Sequence, residues 1–521
     1  MSSRESTEPV ILSIDAAPTS LWRRLPSALE RRARYGWSRF VAGPRPPLAA
    51  ATVDWLKQAD LGPGVPTWMG DGHPSLAATA HCAAALWSFG QRTTVDRWLE
   101  WILTQQLSCG AFADRHGRAS LNDTAMVLTA LTAIDGDEHP TADALAHACE
   151  WLASAIADDN HSLLVADLVG LPPLLAAARH LRENAWEDAV WRALARLRRG
   201  IDLTRWEAPS PWFAAIADAL VDLGEDSLAR QAMLLPAALQ RRNGSVPALP
   251  TAPWISSEGL ARFAQVWFKL GDRPRGARAL AALNARQSSN GGLPHAWGRG
   301  AAHADRHSAA AACQVLNASL TQVRAAFEAT SHLFENTIDP ADGRVVALRQ
   351  SLMHLPPGAR IADVGCGKGR FLRALMPEFP TYRWTGIDLS PAMLSHLPAG
   401  ATPRKGNLLR LDEPDEHYDA AFAVESLEHS LLPEQAVREL VRIVKPGGRI
   451  VIIDKNQQRQ ALSLHDPWER WFSPDAVETW LRADCQQIEV RSIRHGANSQ
   501  PTGLFLCWTA RRSGHTAARA A

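Results

Sequence analysis

The chain has 521 residues, 46% of them hydrophobic and 21% charged, which is enough for two or three folded cores and excludes a disordered polymer. Its 55 Lys and Arg nearly cancel its 54 Asp and Glu, so it lacks the basic excess that a nucleic-acid partner would favour. The cysteines at 82, 109, 149, 313, 366, 485 and 507 form no CxxC pair and no even framework, which fits free thiols in a reducing compartment.

Residues 1–45 read as an extension whose apolar run is too short for a signal peptide. The most apolar stretch, SLLVADLVGLPPLLAAA, carries Asp167 and the pair Pro172–Pro173, so no membrane span is expected and a cytoplasmic location is. From 46 to 322 the sequence repeats. Ala- and Leu-rich segments open at Ser75, Ser120, Ser162, Ser210, Ser257 and Ser308, spaced by 45, 42, 48, 47 and 51 residues. Ser is a favoured N-cap, and Gly90, Gly224 and Gly271 suit helix stops. Between these segments lie Trp/Leu-rich helices ending in Gln58, Gln105, Gln240 and Gln287 ahead of glycine turns. Two helices per period of about 47 residues predict a closed ring of inner and outer helices, an all-α (α/α)6 toroid.

The Gln-x-x-x-Gly turns and the string NDTAM resemble the α/α-toroid superfamily of squalene and terpene cyclases and protein prenyltransferase β-subunits, over roughly 46 to 322. The cyclase acid motif, Asp-x-Asp-Asp-Thr-Ala, has Ser120, Asn122 and Asp123 at its acidic places here. An amide at Asn122 cannot protonate an isoprenoid, and Asp123 alone reads as a first-turn carboxylate. The prenyltransferase zinc site needs Asp-x-Cys, which does not occur; the pair His81–Cys82 reads as core and no metal is expected. Trp55, Trp98, Trp101 and Trp151 are expected to staple outer helices to inner ones, and Trp68 and Trp297 to rim a cavity. Asp71 and Asp123 stay open as a carboxylate pair for glycan chemistry.

Residues 323–512 change texture. ARIADVGCGKGRFLRALMPEF, YRWTGIDLS, YDAAFAVESLEHS and GGRIVIIDKN are short apolar runs separated by helical sequence, which predicts a Rossmann-like, doubly wound α/β sheet. The loop Asp363-Val-Gly365-Cys366-Gly367-Lys-Gly369 has the spacing GxGxG, and Arg370 stands where a dinucleotide fingerprint needs its last glycine. Asp388 lies 19 residues after Gly369 at a strand end, and Asn407 follows after another 19.

This ensemble resembles class I S-adenosylmethionine-dependent methyltransferases of the small-molecule type that includes ubiquinone-pathway enzymes. The resemblance implies S-adenosyl-L-methionine as cofactor. Asp363, Gly365, Cys366, Gly367 and Gly369 would hold its methionine end and Asp388 its ribose. Leu389 and Leu408 would flank adenine, Asn407 would meet its polar edge, and Glu425 would line the pocket. His429 is the candidate base for a hydroxyl acceptor, or else a structural or substrate-orienting residue. FEATSHLFE (327–335) and PWERWF (467–472) are candidate acceptor walls, though Trp468 and Trp471 could equally pack a lid helix. No Asn-Pro-Pro-Tyr-type string suggests an amino-base DNA methylase. Residues 513–521 read as a disordered tail.

The expectation is therefore a methyltransferase for a small or carrier-linked molecule, with oxygen favoured as the methylated atom. The ring would bind or shield the acceptor, and a carrier protein is a candidate partner. The alternative is a bifunctional enzyme whose ring transforms an isoprenoid or glycan that the second domain then methylates.

Overall fold

A computed structural model describes residues 48–135, 141–157, 165–198, 202–203, 205–304, 306–459, 466–496 and 503–514. The expected extension 1–45, the opening at Ser162 and residues 515–521 of the tail lie outside them. The first part is helical: α1 (Leu48–Gln58), α2 (Leu76–Ser88), α3 (Arg92–Thr104), α4 (Leu121–Ile134), α5 (Ala142–Ala157), α6 (Leu171–Leu181) and α7 (Asn184–Leu197). There follow α8 (Ser210–Asp222), α9 (Asp226–Ala232), α10 (Leu234–Leu239), α11 (Ser257–Lys269), α12 (Arg273–Asn284) and α13 (Ala309–Thr330). Helices α2, α4, α6, α8, α11 and α13 each pack on the next, and α13 returns to α2.

Local capping explains the starts and stops. The hydroxyls of Ser75, Ser120, Ser256 and Ser308 accept first-turn N–H groups from Ala78, Asp123, Gly259 and Ala311. Two openings differ by a residue: Ser256, not Ser257, caps α11, and Ser210 is already helical behind Pro209. Gly90, Gly224 and Gly271 take φ of 70°, 78° and 85° after their helices. The N–H of the following residue then reaches back five positions, from Gln91 to Leu86 (3.0 Å), Glu225 to Leu220 (2.8 Å) and Asp272 to Trp267 (2.8 Å).

The glutamine turns tie the end of one helix to a later or earlier one in the chain. The amides of Gln106, Gln240 and Gln287 donate to the carbonyls of Gly110 (3.0 Å), Gly244 (3.2 Å) and Gly291 (2.9 Å). The same nitrogens also reach the carbonyls of Ala144 (2.8 Å), Arg275 (3.0 Å) and Leu48 (3.1 Å). Gln106 takes the role expected of Gln105, whose amide turns to Thr104 Oγ1 at 2.8 Å, because only the later residue faces α5 across the turn. Gln287 ties the end of α12 to α1, the last turn to the first helix. A Cβ at Gly291 (φ 87°) would stand 2.0 Å from the Ala51 carbonyl oxygen, whereas one at Gly70 (φ 98°) would meet nothing within 4 Å. Gly291→Ala is therefore expected to cost about 3 kcal/mol, roughly 1 for the left-handed backbone and about 2 for the overlap. Gly70→Ala should lose only about 1 kcal/mol. Denaturant unfolding of both variants checks this, and equal losses would contradict the clamp.

The second part is a mixed sheet of β3 (Arg360–Val364), β4 (Arg383–Asp388), β5 (Ala401–Lys405), β6 (Tyr418–Val424), β7 (Val444–Lys455), β8 (Cys485–Ile493) and β9 (Phe505–Arg512). (β1, Trp254–Ser256, and β2, Ala296–Gly298, form a small ribbon beside α11.) The order is β5-β4-β3-β6-β7-β9-β8. Neighbours from β5 to β7 are parallel, and β9 runs antiparallel between β7 and β8. The β8–β9 hairpin was not among the expected strands: its exposed face gives β8 an alternation too weak to stand out.

One apolar core runs from the helical part into one face of the sheet, joining Leu316 and Val323 to Ala362, Leu409 and Ile450, while a second covers the opposite face. The boundary expected near 322 falls inside α13. No Pro or Gly interrupts residues 309–330, so the helix continues and the change of texture marks what it packs against.

Candidate cofactor and acceptor site

Strand β3 ends at the glycine loop, where Gly365, Gly367 and Gly369 take φ of 75°, 54° and 72°. A Cβ on Gly365 would press on Ser426 at 2.4 Å and one on Gly369 on Leu397 at 2.6 Å, but one on Gly367 would meet open space. The carbonyl of Ile387 accepts the N–H groups of Gly365 (2.8 Å) and Cys366 (3.0 Å). Asp388 fastens the loop: its carboxylate accepts from Gly367 N (2.8 Å) and Ser390 N (2.9 Å). Burial holds this carboxyl above its ordinary pKa, although those N–H groups oppose the shift.

A cavity of about 520 Å³ opens over the loop. Gly365, Cys366, Gly367, Asp388, Leu389, Asn407, Leu408, Glu425 and His429 all line it. Asp363 and Gly369 do not; Asp363 is buried behind the loop, with Oδ2 lacking any hydrogen-bond partner. Burial, with Asp388 nearby, drives the Asp363 carboxyl well above its usual range, and burial beside both acids does the same to the Cys366 thiol. Asn407 is placed at the wall but its polar atoms are engaged within the protein: Nδ2 donates to Ser88 O (2.7 Å) and Oδ1 accepts from Leu409 N (3.0 Å). Glu425, at φ 52°, accepts from Arg370 (2.6 Å) and pairs with Arg344. Those two cations outweigh burial and keep its carboxyl below the ordinary value.

The far wall comes from α13 (Leu320, Val323, Phe327), from Leu333 and Phe334, and from the turn Glu428–Ser430. His429 faces Phe327 edge-on at 5.0 Å, and its Nε2 lies 3.4 Å from Glu428 Oε1, while its Nδ1 has no partner. Burial alone would lower the His429 pKa, but Glu428, with Glu469 and Asp466 beyond it, holds it above the ordinary value. Glu428 is in turn brought down to about 2 against its burial, chiefly by Lys455 at 2.9 Å. Lys455 also pairs with Glu469 (3.2 Å), and burial lifts Asp466 to about 6.

Of the two candidate acceptor walls, 327–335 supplies cavity residues. The 467–472 stretch instead packs behind them: Trp468 and Trp471 are buried, and Trp471 Nε1 donates to Glu469 (2.8 Å). Sequence reasoning missed Arg344, Glu428, Lys455 and Leu320, of which only the acid of SLEH carried any local signal. In the helical part, Ser120 Oγ lies 2.6 Å from Asp123 Oδ2, Asp71 pairs with Arg306, and Cys82 is buried with its thiol on Ala309 O. Among the described residues no three His, Cys, Asp or Glu side chains gather as a metal site would require, and no helix is long and apolar enough to cross a membrane.

Residues 362–452 match the family described as "Methyltransferase domain". The chain is 32% identical over 158 residues to a 2-methyl-6-phytyl-1,4-hydroquinone methyltransferase of Synechocystis, covering 29% of this chain and 48% of that protein. It is 31% identical over 160 residues to a ubiquinone biosynthesis O-methyltransferase of Pseudomonas entomophila, covering 26% of this chain and 67% of that protein. The match thus spans about half the length of the first relative. A solved S-adenosylmethionine-dependent methyltransferase from Mesorhizobium loti aligns at 22% identity and a TM-score of 0.28, over 32% of this chain and 96% of that one.

Proposed function

We propose, on the premise that the chain belongs through its carboxy-terminal domain to the class I S-adenosylmethionine-dependent methyltransferases, that the whole protein methylates a small or carrier-linked acceptor held between α13 and the Glu428–Ser430 turn. The observation that carries this reading is one cavity with the glycine loop and Asp388 on one side and His429 on the other. Its volume suits a cofactor and part of an acceptor. The donor fits the residues present: Gly367 leaves the space that a side chain would fill, and Asp388, Leu389 and Leu408 line the same cavity.

When bound, the cofactor supplies an electrophilic methyl group open to direct displacement, for which alignment is the main demand. Gly365, Cys366, Gly367 and Asp388 hold the donor side, with Leu389 and Leu408 available to an apolar ring face. Leu320, Val323, Phe327 and Leu431 favour an acceptor with an apolar body. His429, which lines the cavity and is oriented by Glu428, takes the proton of an acceptor hydroxyl, which favours oxygen as the methylated atom. Calorimetry with S-adenosylmethionine tests donor binding, and a cell-extract screen for mass gains of one methyl group tests the acceptor. Absence of donor binding would overturn the reading. Val323→Trp is expected to leave donor affinity within about twofold while lowering turnover of the identified acceptor by about tenfold or more, because it fills only the acceptor side. Equal loss of both would contradict this division of the cavity.

We read residues 48–330 as an (α/α)6 toroid without cyclase chemistry that binds or shields the acceptor, in a cytoplasmic protein whose candidate partner is a carrier protein. The return of α13 to α2 and the tie from Gln287 to α1 support the toroid. A second cavity of about 400 Å³ favours the alternative, a bifunctional enzyme: it opens among α2, α4, α6, α8, α11 and α13 and is lined by His81, Asp218, Asp222, Arg262 and Gln314. Conversion of an extract compound without added donor, lost in Asp218→Asn, would support that second reading.

A further inference from the structure

The wall of the donor cavity formed by Asn407, Leu408 and Leu409 does not stand on its own domain alone. It rests on the end of α2, more than three hundred residues earlier in the chain. The last carbonyls of a helix lack intrahelical partners, and here Ser88 O accepts from Asn407 Nδ2 at 2.7 Å. The Arg410 guanidinium lies over the Trp87 ring, 4.1 Å from its centre. Gly90 closes the approach: a Cβ there would stand 2.2 Å from both Leu409 O and Gln435 Nε2, and Gln435 itself donates to Leu409 O at 3.2 Å. On its inner side the same segment reaches the glycine loop, with Leu408 Cδ1 3.6 Å from where a Gly365 Cβ would be.

We propose that the turn Trp87–Gly90 is a positioning element of the methyl-donor site, so that donor affinity is set in part by the helical domain. The inference rests on the reading that the cavity receives S-adenosylmethionine. The ring's repeats provide an internal control. Gly224 and Gly271 end their helices with the same left-handed backbone and the same five-residue back-bond as Gly90, yet a Cβ on either meets nothing within 4 Å. Alanine at all three positions incurs the same backbone strain. Only at Gly90 does it also push Leu409.

The experiment is calorimetric titration of S-adenosylmethionine into the full-length protein and its Gly90→Ala, Gly224→Ala and Gly271→Ala variants, with Tm recorded for each. Donor affinity should weaken about tenfold or more in Gly90→Ala and stay within about twofold of wild type in the other two. A purely structural role would move Tm and leave affinity alone. Should Gly90→Ala fail to fold, Arg410→Met, which keeps the packing on Trp87 and removes the charge, should weaken binding about threefold or more. Wild-type affinity in whichever of the two variants folds overturns the proposal. No binding by the wild type would instead sink the reading of the cavity, and the proposal with it.

Discussion

Asp388→Ala is expected to weaken S-adenosylmethionine binding by about a hundredfold or more, near 3 kcal/mol at about 1.4 kcal/mol per tenfold. Two effects combine. The carboxylate accepts the N–H of Gly367 at 2.8 Å and that of Ser390 at 2.9 Å, so its removal frees the glycine loop from the end of β4. Hydrogen bonds to a charged partner of this kind each contribute about 1.5–3 kcal/mol. Asp388 also lines the cavity proposed to receive the donor, so on that reading a contact to the donor is lost as well. Asp388→Asn keeps one acceptor oxygen and should lose only about tenfold. Calorimetry separates the three proteins, and an alanine variant within twofold of wild type would end the assignment of this carboxylate to the donor.

The second large effect concerns proton removal. His429→Gln should lower kcat by about a hundredfold with donor affinity unchanged, the lower end of what a positioned base contributes. The sign of the pH dependence follows from the neighbours. Only the neutral imidazole accepts a proton, and Glu428 raises the His429 pKa above its ordinary value. Turnover should therefore climb as pH rises through that elevated value and then level off. Glu428→Gln removes the charge that stabilises the imidazolium, so the rising limb should move to lower pH. Steady-state rates across pH, with the acceptor found by mass shift, provide the check. A limb that stays put in Glu428→Gln, or a His429→Gln variant altered only in KM, would assign His429 to orientation instead.

The parts legible in the sequence were those decided within a few residues. Serine caps and glycine stops marked several helices of the first part because an N-cap or a left-handed stop is a local event, as at Ser75 and Gly271. The glycine loop and Asp388 were legible because a tight turn beside a strand end restricts which residues fit. What stayed hidden depended on distant partners. Whether Gln105 or Gln106 bridges a turn is settled by where the carbonyl of Ala144 lies. Asn407 has the spacing of a cofactor contact, yet its amide meets Ser88, which no local pattern announces. The ionic chain Glu469–Lys455–Glu428 joins a strand end, a turn and a loop, so none of its members stands out alone.

Helix α13 makes the two halves hard to separate. At 22 residues it is a rod about 33 Å long, with Gln314 near one end lining the cavity among the helices and Phe327 near the other lining the cavity over the glycine loop. Severing the gene at codon 322 would leave a greasy stump on either fragment and strip one wall from a reaction chamber. A fragment of either half meant to fold alone would therefore have to carry the whole helix and cover its other end.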